Sequence, residues 1–352
     1  MITTKFWEGL GAKLADQWIV TTLTPAFVFW LGGLLAWITH YGLASLHLLE
    51  TQLTNLLTSL IAQGAFLIGV LLIILASSTV VQQLDLPIIR LLEGYWPRWL
   101  KWLQRWGVDW QNKQLKSAED RWQELEHEKE VRELRPEENE EQVALDSKLR
   151  LAPADPLYRM PTKLGNILRA AEIRPLVNYG LETTICWPRL WLLLPDNVKN
   201  ELTEARTSLD TNIRILVWGI LFFVWTIWAP WALLIGLAIV IWAYYRALRA
   251  AEVYGDLLDS AFDLHRFALY ETLHWPRPEQ PNNEEEKGTE LTRYLYRGLA
   301  PASVKFQYSS ENQPSPQTSS NVTRGLIGLL MAIVLGIYLW ATILKRSHKR
   351  KG

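Results

Sequence analysis

The side chains able to do chemistry are few in this chain of 352 residues, and their spacing suits none of the common reactions. Six histidines stand at 40, 47, 127, 265, 274 and 348, and none belongs to a His-Glu-x-x-His pair of the kind that holds zinc on a helix. His265 and His274 are nine apart, which puts them on opposite faces of a helix. Asp263, His265 and Glu271 invite an acid–base reading, but ordinary helix-surface roles account for them as well. The single cysteine, Cys186, excludes an internal disulfide and a multi-thiolate metal site. Its apolar setting, Thr-Ile-Cys-Trp-Pro, reads as a buried, inert thiol. No Gly-rich phosphate loop follows a strand, and no Gly-x-Ser-x-Gly occurs. No catalytic residue, cofactor or metal is therefore expected.

The chemistry this chain does advertise is that of a lipid surface. Trp99, Trp102, Trp106 and Trp110 are spaced three, four and four apart, so they share one helical face. Arg98, Lys101 and Arg105 fall on another side of the same helix. Indoles seek the headgroup level and bases seek anionic lipid, so this is the pattern of an interfacial helix. The competing reading is a core face packed on the rest of a soluble domain.

The elements that would position this helix are membrane spans. Gln17–Leu49, Thr51–Leu84, Ile215–Tyr245 and Gly325–Leu344 each lack any Asp, Glu, Lys or Arg. About 20 apolar residues in a helix cross the hydrocarbon, and in lipid the backbone must satisfy itself. The chain is thus expected to be all-α, a polytopic helical membrane protein with a helical cytoplasmic domain. Tryptophan, at 19 residues, is abundant in the way interface-rich proteins require. Lys+Arg and Asp+Glu both number 36, which gives no reason to expect a nucleic-acid partner. The N-terminus reads as a retained anchor, since Glu8 and Asp16 accompany Lys5 and Lys13.

Residues 1–81 hold two spans, about Trp18–Thr39, with Pro25 expected to kink it, and about Leu60–Val81. Basic residues follow the second span, and the loop between the two has none. That places the N-terminus and residues 82–211 in the cytoplasm. Ile215–Tyr245 would be ~46 Å long as one helix, too long for a single crossing. Trp225, Trp228 and Trp231 cluster about Pro230 at its centre, where an interface suits them better than the midplane. Residues 212–247 are therefore read as a transmembrane hairpin turning at Pro230, with 248–300 returning to pack on the soluble domain. Residues 301–323 read as a flexible linker, and 324–352 as a last span with a basic tail. That tail, Lys345 to Lys351, opposes the hairpin, because five spans would put it outside; one long tilted span would put it inside. Both readings stay open on sequence, with the Trp-Pro turn favouring the hairpin.

Between these lie soluble helices. Leu115, Ala118, Trp122 and Leu125 form a short heptad-like stripe that serves either a subunit contact or an antiparallel pair with 137–150. Thr162–Glu172 reads as a helix ending before Pro175, and Gln280–Gly288 as a flexible stretch. Small pairs Gly32/Ala36 and Ala65/Gly69 suit close helix packing. Asn321-Val-Thr323 reads as a chance match to a glycosylation acceptor.

The segments Pro161–Glu172, Trp187–Asp196 and Tyr254–Arg266 resemble bacterial multi-spanning membrane proteins of unassigned function, over about 160–300. The resemblance brings no activity; it implies that 160–210 and 250–300 form one unit. The expectation is a non-enzymatic protein acting through assembly, as a scaffold or an oligomeric pore or membrane-disrupting effector. Its partners would be the anionic inner leaflet and a second copy or another protein. A transporter component and a lipid-acting enzyme are the alternatives.

Overall fold

The computed structural model describes residues 23–42, 51, 59–302 and 304–307. The chain divides into two units, Met1–Val304 and Lys305–Gly352, and every helix described belongs to the first. The expected last span and basic tail, most of the 301–323 linker, the loop after Gly42 and residues 18–22 of the first span lie outside the described residues. Among the described residues all regular structure is helical.

Helix α1 is Thr24–Tyr41, with Pro25 in its first turn, where its missing N–H costs nothing. Helix α2, Leu60–Gln83, starts at Ser59, whose hydroxyl accepts from Ala62 N at 3.2 Å. Helix α3, Asp85–Glu93, follows almost without a break and stops at Gly94, whose φ of 109° only glycine adopts freely. After one 3-10 turn, Arg98–Leu100, comes α4, Lys101–Val131.

Helix α5, Pro136–Arg150, packs antiparallel on α4. Arg121 donates to both carboxylate oxygens of Glu141, from Nε at 3.1 Å and Nη2 at 2.9 Å. Leu115, Ala118 and Leu125 are buried, so the stripe serves this intrachain pair. Arg159, with only 4% of its side chain exposed, then clasps the proline-rich loop, donating to Pro153 O at 3.1 Å and to Glu119 at 3.1 Å.

Helix α6, Lys163–Tyr179, runs straight through Pro175, contrary to the expected stop. Proline removes one helical hydrogen bond, but α6 is buried on most sides, by Leu164, Ile167, Leu168 and Ile173 among others, and that packing prevails. The helix ends one turn later at Gly180, φ 67°, where the next amide, Leu181 N, reaches Pro175 O at 3.1 Å. Helix α7 is Thr183–Leu193.

Helix α8, Asp196–Phe222, continues as a 3-10 segment, Phe223–Ile227. The chain turns at 228–230, and α9, Trp231–Thr272, runs back along α8. Both helices pass unbroken through residues 212 and 247, where composition changes from soluble to apolar. Helix α10, Glu284–Arg297, occupies part of the stretch expected to be flexible. The reason is a backbone contact: a Cβ on Gly288 would lie 1.8 Å from Tyr179 O, so only glycine lets α10 dock on the end of α6.

One core joins Leu181, Cys186, Leu190 and Leu202 to Phe262, Leu269, Tyr270 and Leu291, which unites 171–202 with 258–291. A second lies between α3, α6, α8 and α9 around Ile89, Leu164, Leu209 and Leu248. Nearer the turn, Ala36, Phe222, Trp225 and Ala232 form a third, between α1 and the α8–α9 pair.

Among the described residues three helices are long and apolar enough to cross a membrane: Leu60–Gln83, Asp196–Ile227 and Trp231–Thr272. Their most apolar windows are only 17%, 33% and 28% buried. Helices this apolar and this exposed are compatible with a membrane protein.

Candidate membrane interface and an adjoining cleft

The Trp face is held in place from behind. Trp96 Nε1 donates to Leu91 O at 2.7 Å and fixes the chain between α3 and α4. A Cβ on Gly107 would lie 2.8 Å from Pro161 Cβ, so α4 sits directly on the loop before α6. The opposite face is open. Trp99, Trp102, Trp106 and Trp110 are 75%, 68%, 64% and 49% exposed. Such values rule out a core role for these indoles in this unit. Arg98, Lys101 and Arg105 are exposed as well, and among the described residues none has an ion-pair partner.

The aromatic residues at the turn behave differently. Trp225 points inward, 9% exposed, stacked on Trp228 at 5.4 Å and packed against Phe29 at 4.9 Å. Its Nε1 has no hydrogen-bond partner. Trp228 and Trp231 are half-buried, and Pro230 immediately precedes α9 with φ −58°. His40 Nδ1 lies 3.0 Å from Trp228 O, which places the ring proton on Nδ1, and Trp231 Nε1 donates to Thr39 Oγ1 at 3.4 Å. The end of α1 and the α8–α9 turn therefore stand at one level. At the other end of these helices, Arg214 of α8 pairs with Asp85 of α3 at 2.7 Å. Close by on α9, Arg246 lies over the Trp242 ring, 5.8 Å from its centroid. A polar, aromatic level thus bounds the apolar stretch at each end.

Between the Trp face and this lower level lies a cleft of about 530 Å³. Trp110, Lys148, Lys163, Asn166, Tyr244 and Tyr245 are among its lining residues. Sequence reasoning did not find it, because its walls come from four helices far apart in the chain. The one readable signal was Tyr244-Tyr245 beside Arg246, an aromatic and basic edge of a span.

The residues that invited an acid–base reading are not brought together. Asp263 accepts from Tyr179 Oη at 2.5 Å, Glu271 pairs with Arg277, and His265 sits half-buried on a different side of α9. Burial, with the Asp263 contact adding to it, pushes the Tyr179 hydroxyl up to about 12. Burial likewise pushes the Cys186 thiol up to about 11, against a weaker opposing contact from Thr292. A thiol at that value is almost wholly protonated near neutral pH and makes a poor nucleophile. Among the described residues no three His, Cys, Asp or Glu side chains gather as a metal site.

No protein-family model, curated protein or solved structure matches this chain, so its function is read from its own geometry.

Proposed function

We propose that this is a multi-pass protein of a bacterial inner membrane that works through assembly, not catalysis. Its N-terminus and helical head lie in the cytoplasm, and α4 rests on the anionic inner leaflet. Among the described helices, α1, α2, α8 and α9 are the spans, with α8 and α9 as a hairpin whose Trp-lined turn reaches the outer interface. The observation that carries this reading is the open row of four indoles beside three unpaired bases, one short helix after the end of α2. In water such a row is a liability, whereas at a headgroup layer each indole keeps its N–H wet and its ring in hydrocarbon.

Assembly is supported by what the spans leave uncovered. Gly32 and Gly33 of α1 receive Phe222 and Trp225, but nothing stands within 4 Å of the Cβ positions of Gly64 and Gly69 on α2, and Ala65 is exposed. Small residues on a span are surfaces on which another helix approaches closely. The protein is expected to leave the membrane in mild detergent as an oligomer or with a protein partner. A strict monomer by light scattering, with nothing co-purifying from cells, contradicts the proposal.

A further inference from the structure

We propose that the cleft between α4, α5, α6 and α9 binds the phosphate headgroup of an anionic membrane lipid. The proposal deepens the reading above, since it rests on α4 lying at the inner leaflet. Its walls join two interfacial features: Trp110 closes the Trp row, and Tyr244 and Tyr245 end the apolar run of α9. The volume, about 530 Å³, falls in the ordinary range of small-molecule sites, ~300–1,000 Å³.

The polar lining selects an anion. Lys148 and Lys163 both line the cleft, both are exposed, and among the described residues neither has an ion-pair partner. No carboxylate lines it, although α4 and α5 are dense in glutamate elsewhere. Asn166 also lines it while only 2% exposed. Its Oδ1 accepts from Met160 N at 2.7 Å, and its Nδ2 has no partner. A buried amide left without an acceptor is costly, and an anion in the cleft would reach this Nδ2 after a small shift of the side chains that close over it. The first turn of α6 adds its positive end to the same place. Leu115, Leu151 and Leu248 supply an apolar wall for the glycerol and upper chains.

The test uses the full chain in a zwitterion-free neutral detergent, so that it needs no bilayer docking. Short-chain phosphatidylglycerol, short-chain phosphatidylcholine, glycerol phosphate and inorganic phosphate are titrated, following thermal stability. Phosphatidylglycerol is expected to stabilise saturably, the other three not at equal concentration. The Lys148→Glu/Lys163→Glu variant changes only exposed side chains, and is expected to bind at least about tenfold more weakly with unchanged stability in lipid-free detergent. A Trp99→Ser/Trp102→Ser variant is expected to keep phosphatidylglycerol binding, which separates the cleft from docking of α4. Equal stabilisation by phosphatidylcholine, or undiminished binding by the Lys variant, overturns the proposal. Equal stabilisation by glycerol phosphate or inorganic phosphate assigns the cleft to a soluble anion and overturns its lipid identity.

Discussion

Arg214 holds Asp85 Oδ2 with two donors, Nε at 2.8 Å and Nη2 at 2.7 Å, across 129 residues of sequence. The pair ties α8, where its apolar stretch begins, to the start of α3, directly after α2. Both side chains are largely out of solvent, 13% and 16% exposed. Removing one partner leaves the other desolvated without its hydrogen-bonded counter-charge. Asp85→Ala is expected to cost about 3 kcal/mol of unfolding free energy, at the lower end for a broken buried pair. A double-mutant cycle with Arg214→Ala should show a coupling above about 1 kcal/mol. Additive losses would mean that the two groups do not support each other.

Two glycines give a matched comparison. A Cβ on Gly33 would lie 2.4 Å from the Trp225 ring, whereas one on Gly69 would meet nothing within 4 Å. Trp225 is itself packed by Phe29 and Trp228 and has nowhere to go. Gly33→Ala should therefore lower the stability of the dissociated monomer in harsh detergent by ~1–3 kcal/mol, as overpacking does, and Gly69→Ala, which only a partner helix would crowd, by less than about 0.5 kcal/mol there. Equal effects would place α1 away from the α8–α9 turn.

Cys186 makes a pH-dependent prediction. Its ordinary value is 9.0 and burial raises it to about 11 in the folded protein. As pH rises, the unfolded chain loses this proton first. The folded state's advantage is then whole below about 9 and declines toward about 11, by at most about 3 kcal/mol. Cys186→Ala should flatten the stability curve in that window. At pH 8 a water-soluble thiol reagent should leave the native protein unmodified and react after unfolding; rapid native modification would refute the buried setting.

The proposed topology predicts sidedness. Ile227 is 79% exposed at the turn, while Glu140 and Glu286 are exposed on the helical head. An impermeant maleimide on intact spheroplasts should label Ile227→Cys, and should reach Glu140→Cys and Glu286→Cys only after lysis. Labelling of Glu286→Cys from outside would mean that the chain passes straight through at Pro230.

What was legible in the residue pattern, and what was not, divides on physical grounds. Long uncharged runs announce apolar helices because charge is what lipid penalises, and α2, α8 and α9 are long and apolar enough to cross. The tryptophan spacing puts Trp102, Trp106 and Trp110 on one face of α4 because helical geometry is local, while Trp99 lies just before it in the 3-10 turn Arg98–Leu100. Pro175 and the polar stretch Gln280–Gly288 misled for a common reason. Locally one stops a helix and the other reads as flexible, but Pro175 lies in a helix packed on most sides and Gly288 lies against a carbonyl 109 residues away. The cleft was invisible because Lys148, Asn166 and Tyr244 meet only through the packing of their helices.

Depth measured by electron paramagnetic resonance tests the central claim most directly. Spin labels at Trp102→Cys, Trp106→Cys and, as control, Glu140→Cys would each be placed in a Cys186→Ala background, in liposomes containing anionic lipid. Labels at 102 and 106 should collide more with oxygen than with a water-soluble nickel chelate, and the label at 140 the reverse. Equal chelate accessibility at all three positions would mean that the Trp face of α4 does not rest on the membrane.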